Sequence, residues 1–240
     1  VRLAGSVALA CDARGGRSRL RAIRCEGLSR SSRAFAAPCG AIRVQLSTLG
    51  PGVLGGDRFT LAGTVSEHAS LIAAGQMATP VFAGTLPSRT DAAWSVADGA
   101  TLLVAGEPLV LEPGSEHASV ATFAIAGTGC AIVVDTFCLR GSARLAMRTQ
   151  ATVNGTLVYR DAFDFASAAD GAYGTVAFVA ADAERRAAFA ERAARVAAAA
   201  GEPVRAGIGE TAAAVVVRLT GARIWDVRAA ALGIAGVSSP

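Results

Sequence analysis

The chain has 240 residues, of which 52% are hydrophobic and 18% charged, so it can bury a sizeable core and is too apolar to be disordered. All 23 basic residues are arginine, which excludes a Schiff-base or P-loop lysine, and no apolar run approaches the roughly 18 residues of a membrane-spanning helix. The net charge of +4 is uneven: residues 1–43 hold nine arginines against Asp12 and Glu26, and the rest holds 14 arginines against 17 acids.

The first eleven residues, Val1 to Cys11, read as a β-strand; their apolar stretch is short and broken by glycine, unlike the core of a signal sequence. The basic arm that follows carries one aromatic, Phe35, and no nucleic-acid-binding motif. It reads as a solvated edge strand or as a surface for an acidic protein partner, and no nucleic acid is expected. Ala41 to Ser47 alternates as a strand. Leu49 to Arg58, with four glycines and a proline, is a sharp reversal, and Phe59 to Val65 resumes as strand.

A local pattern then recurs. Val65-Ser-Glu-His-Ala-Ser-Leu-Ile72 is echoed by Val96-Ala-Asp-Gly-Ala-Thr-Leu-Leu103 and, more weakly, by Ile125-Ala-Gly-Thr-Gly-Cys-Ala-Ile132, at offsets of 31 and 29 residues. A period near 30 predicts one supersecondary unit stacked on itself, a β-helix or solenoid-like fold of many short strands; a plain antiparallel sandwich is the other reading. Asn154-Gly155 between two alternating runs predicts a two-residue hairpin, and Tyr173 to Ala180 another strand.

Near the C-terminus the character changes. Asp182 to Ala200 reads as a helix capped by Asp182, with Phe189, Ala193, Val196 and Ala200 on one face, a Glu191–Arg195 pair, and Gly201 and Pro203 as its stop. Ala212 to Leu219 is a strand, and Gly221 to Leu232 a second helix with Gly233 as its C-cap. The expectation is one all-β domain over residues 1–240 with two C-terminal helices.

No nucleophile elbow, zinc-protease, P-loop or dinucleotide motif is present. The five cysteines, Cys11, Cys25, Cys39, Cys130 and Cys138, are odd in number with no C-x-x-C, so neither a disulfide framework nor a zinc site is expected, and a reducing, cytoplasmic setting fits. The two histidines, His68 and His117, share the pentapeptide Ser-Glu-His-Ala-Ser. They read as exposed turn histidines or as a stacked pair for a divalent metal such as nickel or zinc; their offset of 49 residues puts them in different phases of the repeat. Asp57, Asp135 and Asp161 each close a glycine turn or an apolar strand. Such acids are hydrogen-bonded, ion-paired or wet: either structural ion pairs or the lining of a polar interior that a cation could traverse.

Gly52-Val-Leu-Gly-Gly-Asp-Arg58, followed by Ala73-Ala-Gly-Gln-Met-Ala-Thr-Pro-Val-Phe82, resembles the urease accessory protein family UreD (UreH). Collinear with it are Glu107-Pro-Leu-Val-Leu-Glu-Pro-Gly114, Asp135-Thr-Phe-Cys-Leu-Arg-Gly141, Arg160-Asp161 and Ile224-Trp225 with Arg228. Pro80 stands where the family has lysine. The resemblance implies a β-helical fold with two helices and a non-enzymatic urease-maturation chaperone. It implies a hetero-oligomer with the urease apoprotein, UreF and the GTPase UreG, no membrane, and no tightly bound cofactor, with nickel in transit. It also implies a polar nickel path, for which Asp57, Asp135 and Asp161 are the candidates, with Gly55, Gly56, Gln76 and Thr79 forming its motif and wall, and His68 and His117 as weaker metal candidates. Two other functions stay open: a β-solenoid carbohydrate-active enzyme with paired carboxylates, which the 5% aromatic content disfavours, and an adaptor that has lost the metal role.

Overall fold

The computed structural model describes residues 2–37, 40–166 and 170–237; Cys39 lies outside them. Two sheets face each other across an apolar interior. The first has seven strands in the order β15-β14-β12-β9-β6-β1-β2: β1 (Ala4–Arg14), β2 (Arg17–Gly27), β6 (Arg58–Val65), β9 (Ser88–Val96), β12 (Glu116–Ile125), β14 (Arg144–Val153) and β15 (Thr156–Ala166). The second has eleven: β17 (Val204–Glu210), β18 (Ala214–Gly221), β16 (Gly171–Ala180), β13 (Cys130–Leu139), β10 (Thr101–Ala105), β7 (Ser70–Gly75), β5 (Ile42–Thr48) and β3 (Ser29–Ser31) run in that order, with β4 (Phe35–Ala36), β8 (Thr79–Val81) and β11 (Leu109–Leu111) beside them.

The 30-residue period is the pitch of this arrangement. From β6 to β14 the chain alternates between the sheets, so each coil places one strand on each, and successive coils stack in parallel. Arg58 is in register with Arg89, and Ser88 with His117, which reproduces the offsets of 31 and 29; on the second sheet Leu71, Leu102 and Ala131 align in the same way. The repeated apolar residue before each corner forms a buried ladder, Cys11–Val65–Val96–Ile125–Val153. Full burial of each aliphatic rung stabilises by roughly 1.5–3 kcal/mol. The corners also stack through polar groups: Asp98 Oδ1 accepts from the Thr128 N–H at 2.6 Å, and Asn154 Oδ1 from the Gly127 N–H at 2.8 Å.

Antiparallel strands close both ends of the first sheet, β15 and the basic strand β2, and β2 is an edge strand. The β14–β15 hairpin turns at Asn154 and Gly155, whose φ values of 50° and 79° are those of a type I′ turn.

Two helices cover the outer face of the second sheet. α1 (Ala183–Ala200) begins where expected: Asp182 accepts hydrogen bonds from the N–H groups of Glu184 and Arg185, and Gly201 ends the helix at φ 64°. Phe189 and Ala193 are buried, with Val196 and Ala200 packed beside them. Glu191 and Arg195 do not form an ion pair among the described residues, as befits two solvated side chains whose attraction is screened.

α2 (Ile224–Ala235) departs from the expected 221–232. Gly221 is still strand, paired with Ala172 and Val204, and Gly233 lies inside the helix against Val196 rather than capping it. The C-cap is Gly236, at φ 80°. Pairing across two strands outweighs the local glycine signal. Among the described residues no helix is long and apolar enough to cross a membrane.

Candidate functional site

The second sheet is interrupted at one level. β7 stops at Gly75 and β10 at Ala105, the chain leaves the sheet plane, and pairing resumes with β8 and β11, while the neighbouring β13 runs through unbroken. Glu107 sits in the break, packed so closely on Gly75 that a side chain at that position would collide with it. Behind the break, between the two sheets, lies a cavity of about 160 Å³. That volume accommodates about five water molecules. Most of its wall is apolar, and its polar groups include Thr79, Glu107, His117, Ser119, Asp135 and Thr136.

Burial pushes the Glu107 carboxyl above its usual range, against the pull of hydrogen bonds from Thr79 and Thr48 and the charge of Arg228. Asp135 sits midway along β13 and is pushed up to about 6, first by burial, with Arg228 opposing and Asp161 adding to the rise. Its remaining exposure is to the cavity that it lines. Arg228 enters from α2, only 6% exposed, donating to the Ala105 carbonyl at 3.3 Å and lying 3.5 Å from Thr136 Oγ1. Desolvation lowers its guanidinium to about 10, and Asp135 and Glu107 hold it up. The break is therefore flanked by two carboxyls that share one buried cation.

On the far side Asp161, on β15, is bound by Arg218 of β18 and by the Tyr159 hydroxyl at 2.8 Å. Arg218 also donates to Thr175 at 2.6 Å and lies over the Phe163 ring at 4.1 Å, so it ties the two sheets together at the β15 side. Thr175 stands opposite both Asp135 and Arg218 in register, which is how the two acids come within electrostatic reach of each other.

Asp57 lies elsewhere. Its two carboxylate oxygens accept from the Leu3 N–H at 2.9 Å and the Leu54 N–H at 3.0 Å, so it fixes the glycine loop at Gly55 and Gly56 to the start of β1. It precedes Arg58 as Ser88 precedes Arg89, so Asp57, Ser88 and His117 share one level of three adjacent strands. Thr79 lines the cavity and meets Glu107, whereas Gln76 is exposed at the rim of the break.

The two histidines do not form a pair. His68 is an exposed corner residue at φ 58°, beyond the far end of β6. His117 lies at the opposite end of the coils, 3% exposed on β12, with Nδ1 2.8 Å from Ser88 Oγ. A strand of this length separates them by roughly 25–30 Å. The shared pentapeptide misleads because it falls on a corner in one copy and on a strand in the other. Burial lowers His117 to about 4, which makes it neutral, and its Nε2 has no hydrogen-bond partner. Among the described residues no three His, Cys, Asp or Glu side chains converge as a metal cluster.

Sequence reasoning did not single out Glu107, Arg228, Arg218 or Tyr159 as site residues. One signal was available: Gly75 and Gly106 are 31 residues apart, one repeat, and each is soon followed by a proline, so the interruption itself is periodic. The aromatic residues Phe137, Phe163, Phe165 and Tyr173 pack on one another at 5.2–5.6 Å rather than lining a sugar-binding groove.

Comparison with known proteins gives one finding: a family model, UreD urease accessory protein, matches residues 3–239, nearly the whole chain. No curated protein matches it.

Proposed function

This chain belongs to the UreD urease accessory protein family, and we propose that it acts without catalysis, binding apo-urease together with UreF and UreG and guiding nickel toward the urease active site. Urease maturation is the role of the family. The observation that carries the finer reading is the cavity behind the sheet break, whose lining includes the oxygen-bearing side chains of Thr79, Glu107 and Asp135.

Oxygen donors suit an ion in transit. Weak sites release a cation that thiolates would retain, and nickel has high affinity for nitrogen and sulfur ligands. The thiols of Cys11, Cys130 and Cys138 are all pushed up by burial, which keeps them protonated and poor as ligands. In the proposed path Asp135 and Glu107 offer their oxygens directly. Asp161, held by Arg218, and Asp57, held by two backbone N–H groups, brace the surrounding scaffold rather than the cavity wall. Arg228 balances the carboxyl charge when no cation is present.

The test is co-expression of the host urease subunits with UreF and UreG, with and without this chain, followed by nickel content and activity of the purified urease. Nickel loading is expected to need the chain. Asp135→Ala and Glu107→Gln, expressed at wild-type level and still recovered with the partners, are expected to lower loading. Full loading by both variants removes the cavity from the path; full loading without the chain removes the delivery role.

A further inference from the structure

The free edge of β2 combines two features that point to the same kind of partner. Among the described residues β2 pairs with β1 alone, so its other edge is a row of unpaired backbone groups over eleven residues. Its exposed face is a line of arginines. Arg17, Arg19, Arg21 and Arg24 are exposed, while Ser18, Leu20, Ile23 and Cys25 turn half-buried toward the interior. Strict alternation would send Arg24 inward. A bulge prevents this: Leu20 faces Cys11 and Ala22 faces Ala10, so Arg21 is the extra residue and the phase shifts by one. The irregularity keeps the arginines of both halves on one side.

These charges are not balanced within the fold. Asp12 bonds Arg19 and also feels Arg21 and Arg14, and Glu26 pairs with Arg24. Arg14, Arg17 and Arg21 have no ion pair among the described residues.

We propose that the β2 edge takes up an extended acidic segment of a partner protein as an added strand, with carboxylates at alternate positions meeting Arg17, Arg21 and their neighbours. Side chains on one face of an extended segment recur every second residue, about 7 Å apart, which matches the arginine spacing, and the unpaired edge supplies main-chain hydrogen bonds. Arginine on an edge also discourages self-association, but it repels only basic strands and attracts acidic ones. Nucleic acid fits less well: the single nearby aromatic, Phe35, provides no stacking row, and phosphates, which only accept, leave the carbonyl groups of the edge unpaired. This edge binds its segment whether or not nickel passes through the sandwich, so the metal-loading assay and the experiment below fail independently.

The experiment measures binding of a capped synthetic peptide alternating glutamate and valine to the full chain, by fluorescence anisotropy and by hydrogen exchange. The same peptide with lysine for glutamate and a single-stranded oligothymidylate are run in parallel. The glutamate peptide is expected to bind, to weaken with salt and to slow exchange of β2 amides, while the lysine peptide does not bind. Arg17→Glu with Arg21→Glu is expected to weaken binding about tenfold, the effect of two exposed charge reversals. The milder pair Arg17→Gln with Arg21→Gln shifts affinity in the same direction at an unchanged unfolding midpoint. Failure of the glutamate peptide to bind, protection confined to other strands, unchanged affinity in the folded Gln variant, or tighter binding of oligothymidylate would each overturn the proposal.

Discussion

Asp135→Asn separates the electrostatics of the cavity from its packing, because the substitution keeps shape and removes the titration. Asp135 is pushed from 3.8 to about 6, chiefly by burial. A shift of about two units corresponds to roughly 3 kcal/mol between the two protonation states. The folded chain holds the proton more tightly than the unfolded chain, so between these two values the native state binds more protons. Wild-type stability attributable to this group is therefore complete below about pH 4 and declines as pH rises to about 6, where the loss levels off.

The Asn variant has no such term. Urea unfolding of both proteins across that range, plotted as their difference, is expected to favour the variant increasingly with pH, by up to about 3 kcal/mol. The attraction of Arg228 and Arg218 for the carboxylate is already contained in this net shift, so the dependence on pH is the signature. Glu107, raised in the same direction, titrates in both proteins and cancels to first order. A difference that stays flat within about 1 kcal/mol from acid to neutral pH would refute the reading of Asp135 as a buried, under-compensated acid.

Three further outcomes are expected. His117, lowered from 6.5 to about 4, is held neutral, so its contribution is full above 6.5 and is lost as pH falls toward 4; His117→Gln removes roughly 3 kcal/mol of that acid sensitivity in pH-dependent unfolding. Leu102→Ala, at a fully buried rung of the second sheet, lowers stability by about 2–5 kcal/mol in urea titration, whereas Leu157→Ala on the exposed face of β15 changes it by less than about 0.5 kcal/mol. Asp182→Ala removes both cap hydrogen bonds and costs about 1 kcal/mol, with exchange fastest in the first turn of α1.

The carboxylates show the limit of reading a site along the chain. Asp57, Asp135 and Asp161 look alike in sequence, each at the end of a turn or strand. The fold gives them three different fates: a loop clamp on backbone N–H groups, a cavity-lining acid with a raised titration, and half of a cross-sheet ion pair. Gly75 and Glu107 meet because two repeats break at the same height, a consequence of stacking.

The features legible along the chain follow from local physics summed over a period. Apolar residues spaced near 30 fixed the coil length, Asn154-Gly155 fixed a hairpin, Asp182 fixed a helix start, and the collinear motifs pointed to the family that the family comparison then identified. Contacts between residues far apart in the chain carry no such local signal. Arg228 reaches a carbonyl 123 positions away, and His117 is neutral because three strands and a facing sheet remove its water. Burial and ion pairing depend on three-dimensional neighbours, and one residue of strand phase, as at the Arg21 bulge, decides which face a charge occupies.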